Sequence, residues 1–88
     1  MGNRQAMRLL QRAKDAPGGW TIDELIKLYL EFGFYIEKGK KHDLAKHPDL
    51  PDGIKGTITR SSKEIHPDYV RTALDLIELS QRKLGEKS

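Results

Sequence analysis

The chain has no cysteine, which removes disulfides, thiolate metal sites and cysteine nucleophiles from consideration. It has no long apolar run either, so nothing in it reads as a membrane span. The segment from Met1 to Trp20 carries charges throughout and lacks the apolar block of a secretory signal, so a cytoplasmic protein is expected. Aromatic residues are few, at 7%. Trp20, Phe32, Phe34 and Tyr35 cluster around one predicted helix and strand. No basic residue run interleaves them, so they read as core and not as a base-stacking platform. With 88 residues the chain fits one domain. A chain of that size buries only about 60% of the surface its unfolded form exposes. Chemistry is therefore expected on a surface or in a shallow groove, not in an enclosed cavity.

Charge is nearly balanced, with 16 Lys and Arg against 13 Asp and Glu, a net +3. Its distribution is uneven. Residues 38–63 hold seven basic residues (Lys38, Lys40, Lys41, Lys46, Lys55, Arg60, Lys63) and three acids, a net +4, so the rest nets −1. Positive charge gathered in the middle third suits a polyanion such as nucleic acid, although a solvated lysine-rich surface has the same composition.

Hydrophobic spacing predicts a short helix over 3–14, with Ala6, Leu9, Leu10 and Ala13 on one face, broken by Asp15-Ala16-Pro17-Gly18-Gly19. Residues 1–20 read as an N-terminal extension of helix and Gly/Pro linker, and 21–88 as the functional domain. A second helix starts at a Thr21-x-x-Glu24 capping box, buries Ile22, Leu25, Ile26 and Tyr29, and stops at Gly33. Three short strands follow, over 34–38, 42–47 and 55–60, separated by the Gly39-Lys40-Lys41 turn and by a loop rich in proline, aspartate and glycine. The last helix opens at Pro67-Asp68, presents Val70, Ala73, Leu74 and Ile77, and is expected to end near Leu84, with Gly85 as its stop. The short connections favour an antiparallel sheet. The fold class is α+β: two helices packed on one face of a three-stranded antiparallel sheet, with an extra N-terminal helix. The other sheet face, or the edge beside the turns, is left for function.

Three histidines titrate near neutral pH. His42 follows a glycine turn and is flanked by Lys40, Lys41 and Asp43. Cleavage of an RNA backbone needs one group that exchanges a proton and positive charge at the crowded phosphorus centre, and this cluster offers both. The competing reading is an exposed histidine in a basic hairpin. His47 precedes Pro48 at a strand end and reads as a structural or rim residue within reach of phosphate. His66 precedes Pro67 at a helix start, where a hydrogen-bonding role suffices. A metal site is not expected. His42 and His47 lie five positions apart and so point to opposite faces of a strand, and no zinc ligand spacing is matched. No cofactor is implied.

Four stretches in order resemble the HicA toxins of bacterial and archaeal toxin–antitoxin pairs. They are the helix end Glu31-Phe32-Gly33-Phe34, the G-x-x-H turn Gly39-Lys40-Lys41-His42 followed by His47-Pro48, the third strand running into Thr57-Ile58-Thr59-Arg60-Ser61-Ser62-Lys63, and the helix from Pro67. Three features depart from the family's pattern: Lys40 replaces the usual serine or threonine, Thr59 stands where many members have proline, and the final helix runs on through Gln81 and Lys83, where many members stop. The resemblance implies an α-β-β-β-α fold like that of double-stranded-RNA-binding domains. It implies metal-independent cleavage of mRNA by the turn histidine, His42, with mRNA or other single-stranded RNA and a HicB-like antitoxin protein as partners. The RNA-binding residues expected are Gly39, which shapes the turn, with Lys40, Lys41, Lys46, His47, Lys55, Arg60 and Lys63. Two alternatives stand beside it: a non-catalytic RNA-binding module of the same fold, and a protein-interaction domain whose basic strip meets an acidic partner.

Overall fold

Thr21 and Glu24 start a helix by satisfying each other's backbone donors. In the computed structural model, which describes residues 4–59 and 64–87, the Glu24 N–H donates to Thr21 Oγ1 at 3.3 Å and the Thr21 N–H donates to Glu24 Oε1 at 3.1 Å. The helix so opened, Ile22–Glu31, is the second of three. The elements run α1 (Arg4–Asp15), α2 (Ile22–Glu31), β1 (Tyr35–Glu37), β2 (His42–Lys46), β3 (Gly56–Thr59) and α3 (Pro67–Lys87). This is the expected α+β order.

The end of α2 is as well defined as its start. Gly33 takes the left-handed conformation, with φ of 85°. Its N–H donates to the Leu30 carbonyl at 3.2 Å, and the Phe34 N–H donates to the Tyr29 carbonyl at 3.1 Å. These two bonds are the Schellman pattern. The apolar contact that accompanies it is also present, with the Phe34 and Tyr29 rings 5.1 Å apart. The motif turns the chain directly into β1.

The three strands form one antiparallel sheet in the order β1-β2-β3. Cross-strand partners are Ile36 with Ala45, Asp43 with Ile58, and Ala45 with Gly56 on one face. Ala45 and Ile58 are fully buried there, and Ile36 packs against the core. Tyr35 with Lys46, Glu37 with Leu44, Leu44 with Thr57, and His42 with Thr59 share the other face. Helices α2 and α3 cover the first face. β1 and β2 are shorter than the expected 34–38 and 42–47, and β3 starts one residue later than expected; the expected end of β3 at Arg60 lies outside the described residues.

The N-terminal segment was expected to be an extension separate from the domain, and this is corrected. Leu10, Ala13 and Trp20 belong to the same core cluster as Leu25, Tyr29, Ile58 and Ile77, and α1 packs against α2 and α3. Trp20 is fully buried. Its indole N–H donates to the Ala16 carbonyl at 2.9 Å, and its own carbonyl accepts from the Ile65 N–H at 2.8 Å. The Arg12 guanidinium lies 4.6 Å from the indole centroid and pairs with Glu24. The Glu24 carboxyl is held below the ordinary range chiefly by that hydrogen bond from Arg12. The aromatic cluster is also split: Trp20 and Phe34 are core, but Tyr35 is 46% exposed on the uncovered sheet face.

Helix α3 buries Val70, Ala73, Leu76 and Ile77. Ser80 is buried too, and its hydroxyl donates to the Ile77 carbonyl at 2.7 Å. The helix continues through Gly85 to Lys87, past the stop expected at Gly85. Glycine weakens a helix by about 1 kcal/mol relative to alanine but ends it only where the chain turns left-handed. No helix of the described residues is long and apolar enough to cross a membrane.

Because Trp20 is fully buried in the core cluster, Trp20→Ala should lower unfolding free energy by about 3–5 kcal/mol, the range for large core aromatics. Urea denaturation followed by circular dichroism measures it. A loss under about 1 kcal/mol would mean that the N-terminal segment is dispensable.

Candidate nucleic-acid interface

The hairpin between β1 and β2 presents His42. The turn residues Lys38, Gly39, Lys40 and Lys41 are all exposed. A Cβ at Gly39 would stand inside the van der Waals shell of the His42 carbonyl oxygen. The turn therefore closes tightly only with glycine in that position, and the reason is close approach of backbone to backbone. This supplies the steric basis for the G-x-x-H spacing. His42 is the first residue of β2, is exposed, and lies opposite Thr59 of β3.

The alternation of β2 then fixes what surrounds it. His42, Leu44 and Lys46 point to the uncovered face, together with Tyr35 and Glu37 of β1 and Thr57 and Thr59 of β3. The face is mixed: an aromatic ring, an aliphatic side chain, two hydroxyls, one acid, one lysine and one histidine. Exposed Lys40 and Lys41 stand at the His42 end, and exposed Lys55 immediately precedes β3 at the other.

Lys46 is less available than expected. Its ammonium bonds Glu37 Oε2 at 3.0 Å, diagonally across the β1–β2 pair. That bond is the main cause that raises its pKa, against a smaller opposing effect of desolvation, with the negative charges of Glu37 and Asp52 adding to the rise. Lys46 is thus a cation with one acid already against it.

The other two histidines have structural roles. The sequence His-Pro-Asp occurs at 47–49 and again at 66–68. Both copies make the same turn. The Asp49 N–H donates to His47 Nδ1 at 3.0 Å, and the Asp68 N–H donates to His66 Nδ1 at 3.1 Å. Each imidazole acts as the side-chain acceptor that a serine or aspartate provides in a comparable turn. His66 thereby caps the start of α3. His47, expected among the RNA-binding residues, is only 6% exposed, with its ring edge-on to Phe34 at 4.9 Å. Burial on the covered side leaves it almost no surface to offer a phosphate, and the expected opposition of His42 and His47 across the strand is observed. Arg60 and Lys63 lie outside the described residues. Among the described residues no three His, Asp or Glu side chains are grouped to hold a metal ion.

Sequence reasoning missed the Glu37–Lys46 pair and the exposure of Tyr35. The signal for both was the period-two pattern: with Ile36 and Ala45 facing the helices, Tyr35, Glu37 and Lys46 must face away.

Gly39→Ala should distort the hairpin at His42. We expect destabilisation of roughly 0.5–3 kcal/mol, and displaced amide resonances for 38–43 and Thr59 in a ¹H–¹⁵N correlation spectrum. An unchanged spectrum would show that the turn accommodates a side chain.

Comparison with protein-family models, with curated proteins and with solved structures finds no match for this chain, so what the interface does has to follow from its own geometry.

Proposed function

We propose that this protein is a HicA-like toxin that binds and cleaves mRNA, with His42 as the proton-transferring group. The observation that carries the reading is the tight turn at Gly39, which holds an exposed histidine at the end of a sheet face and places lysines beside it. The chain order α2-β1-β2-β3-α3 is the α-β-β-β-α order of double-stranded-RNA-binding domains, which supports the same reading. The expected partners are mRNA and a HicB-like antitoxin protein, and the expected compartment is the cytoplasm.

The chemistry needs no bound group. The 2′-hydroxyl attacks the adjacent phosphorus, its proton leaves, and the P–O5′ bond breaks as the 5′ oxygen takes up a proton. The products are a 2′,3′-cyclic phosphate and a 5′-hydroxyl. His42 takes up or delivers one of these protons. The ammonium groups of Lys40 and Lys41 stabilise the negative charge that grows on the phosphoryl oxygens. A second reading is favoured by one observation. Lys40 occupies the position where the family usually has a hydroxyl residue, and a non-catalytic RNA-binding module of this shape would tolerate that change.

His42→Ala separates the two. A positioned proton-transfer group contributes about 10²- to 10⁴-fold in rate. The variant should lose that much cleavage of single-stranded RNA in excess EDTA while keeping its melting temperature and most of its RNA affinity. If wild type and variant both bind RNA and neither cuts it, the non-catalytic module is the right reading. Cleavage that stops in EDTA would mean a metal-dependent mechanism instead.

Glu37→Gln frees Lys46 and removes one negative charge from the sheet face. RNA affinity should rise, and the slope of log affinity against log salt should steepen by about 0.7, one additional phosphate contact to a single strand. Fluorescence anisotropy over a salt series checks this. An unchanged slope would take Lys46 out of the interface.

A further inference from the structure

We propose that Tyr35 is a base-stacking residue and that the uncovered sheet face takes a single strand of RNA laid along β2 between Tyr35 and His42. This rests on the reading of His42 as part of an RNA site and adds to it a residue that holds a base and the path the strand takes.

Tyr35 is 46% exposed, an aromatic ring on a strand whose covered side is occupied by Ile36. Its cross-strand partner is Lys46. Leu44, half-buried, sits between Lys46 and His42 on the same face. Lys46, Leu44 and His42 therefore follow one another along β2, with the Tyr35 ring beside Lys46 on the neighbouring strand. The four-residue step from Lys46 to His42 spans about 13 Å at the usual strand rise. A stacked strand rises about 3.4 Å per nucleotide, so a base held by Tyr35 lies a few nucleotides from the bond presented to His42.

The same geometry selects a single strand. An aromatic ring on a sheet captures the flat face of a base, and base faces are accessible only where they are unstacked. An A-form duplex presents phosphates and 2′-hydroxyls, which would engage the lysines and leave Tyr35 unused. Charge fits the path. Lys40 and Lys41 bracket one end, with Lys46 and Lys55 at the other, so a backbone crossing the face meets cations at both ends. Stacking on a ring is indifferent to base identity, so the position over Tyr35 should carry little sequence preference.

The test measures binding, not cleavage, by fluorescence anisotropy of a labelled 12-nucleotide RNA and its duplex on wild type, Tyr35→Ala, Tyr35→Phe and a Lys40→Glu/Lys41→Glu variant. Loss of one stacked base weakens single-strand binding about 5- to 150-fold, and Tyr35→Ala should show that loss. Tyr35→Phe keeps the ring and should bind as wild type does. Scanning an abasic site through the RNA should find one position that weakens wild-type binding and has no further effect on Tyr35→Ala. That scan on wild type also serves if Tyr35→Ala folds poorly, and a flat scan would overturn the proposal. So would undiminished single-strand binding by Tyr35→Ala, or a preference for duplex. If the lysine variant loses RNA while Tyr35→Ala keeps it, the RNA reading stands and only the stacking role falls. If wild type binds no RNA, both fall. A concentration-dependent dimer that Tyr35→Ala dissolves, with RNA affinity unchanged, would assign the face to a second copy of this chain and would also overturn it.

Discussion

A chain of 10.0 kDa without a cysteine must close its core by apolar packing, and Trp20 is where that closure is made. Its ring is fully buried in the core, its N–H is satisfied by Ala16, and its carbonyl receives the Ile65 N–H just ahead of α3. Thr21, the cap of α2, is the next residue. The starts of both helices that cover the sheet are thus set within one or two residues of the Trp20 contacts. Arg12 ties α1 to the same point through the indole face and the Glu24 carboxylate. The surface ion pair by itself is worth little. What matters is that it sits on a buried ring and on a capping box, so one local arrangement orients three elements.

From that frame the sheet acquires two unlike faces. Ala45 and Ile58 are fully covered, and the residues between them along each strand are left outward. The period of two makes this unforgiving: a slip of one residue in β2 would bury His42 and Lys46 and expose Ala45. The position of His42 on the outside follows from the burial of Ala45 three residues later as much as from its own polarity. One buried group is left without a partner among the described residues, the Tyr29 hydroxyl, whose pKa burial raises. It lies against Gly56, where β3 passes so close that a Cβ would collide with the phenol oxygen.

The three histidines divide by context. Two sit before Pro-Asp and bend their imidazoles back to accept an aspartate N–H, one in the interior and one at a helix start. The third follows a glycine turn and projects from a strand end. The same side chain is a fold-stabilising acceptor in the first setting and an exposed group on the uncovered sheet face in the second. The difference comes from the two residues that follow or the three that precede it.

Much of this was legible in the sequence because it is local. The capping box of α2 needs only Thr21 and Glu24 three residues apart, the α2 terminator needs Gly33 before an aromatic residue, and the hairpin needs a glycine ahead of His42. Alternation and the 3.6-residue period likewise assign the buried members of β2 and α3. Other features needed distant parts of the chain to meet. Whether the N-terminal helix belongs to the core depends on Trp20 reaching Ile65, a bond across more than forty residues. Whether Lys46 stands free depends on Glu37 in the neighbouring strand, and whether Tyr35 is core or surface depends on which face of the sheet α2 and α3 cover. Hydrogen bonds and side-chain periods between near neighbours are written in the sequence. Burial and ion pairing between strands and helices arise only once tertiary packing has chosen the covered side.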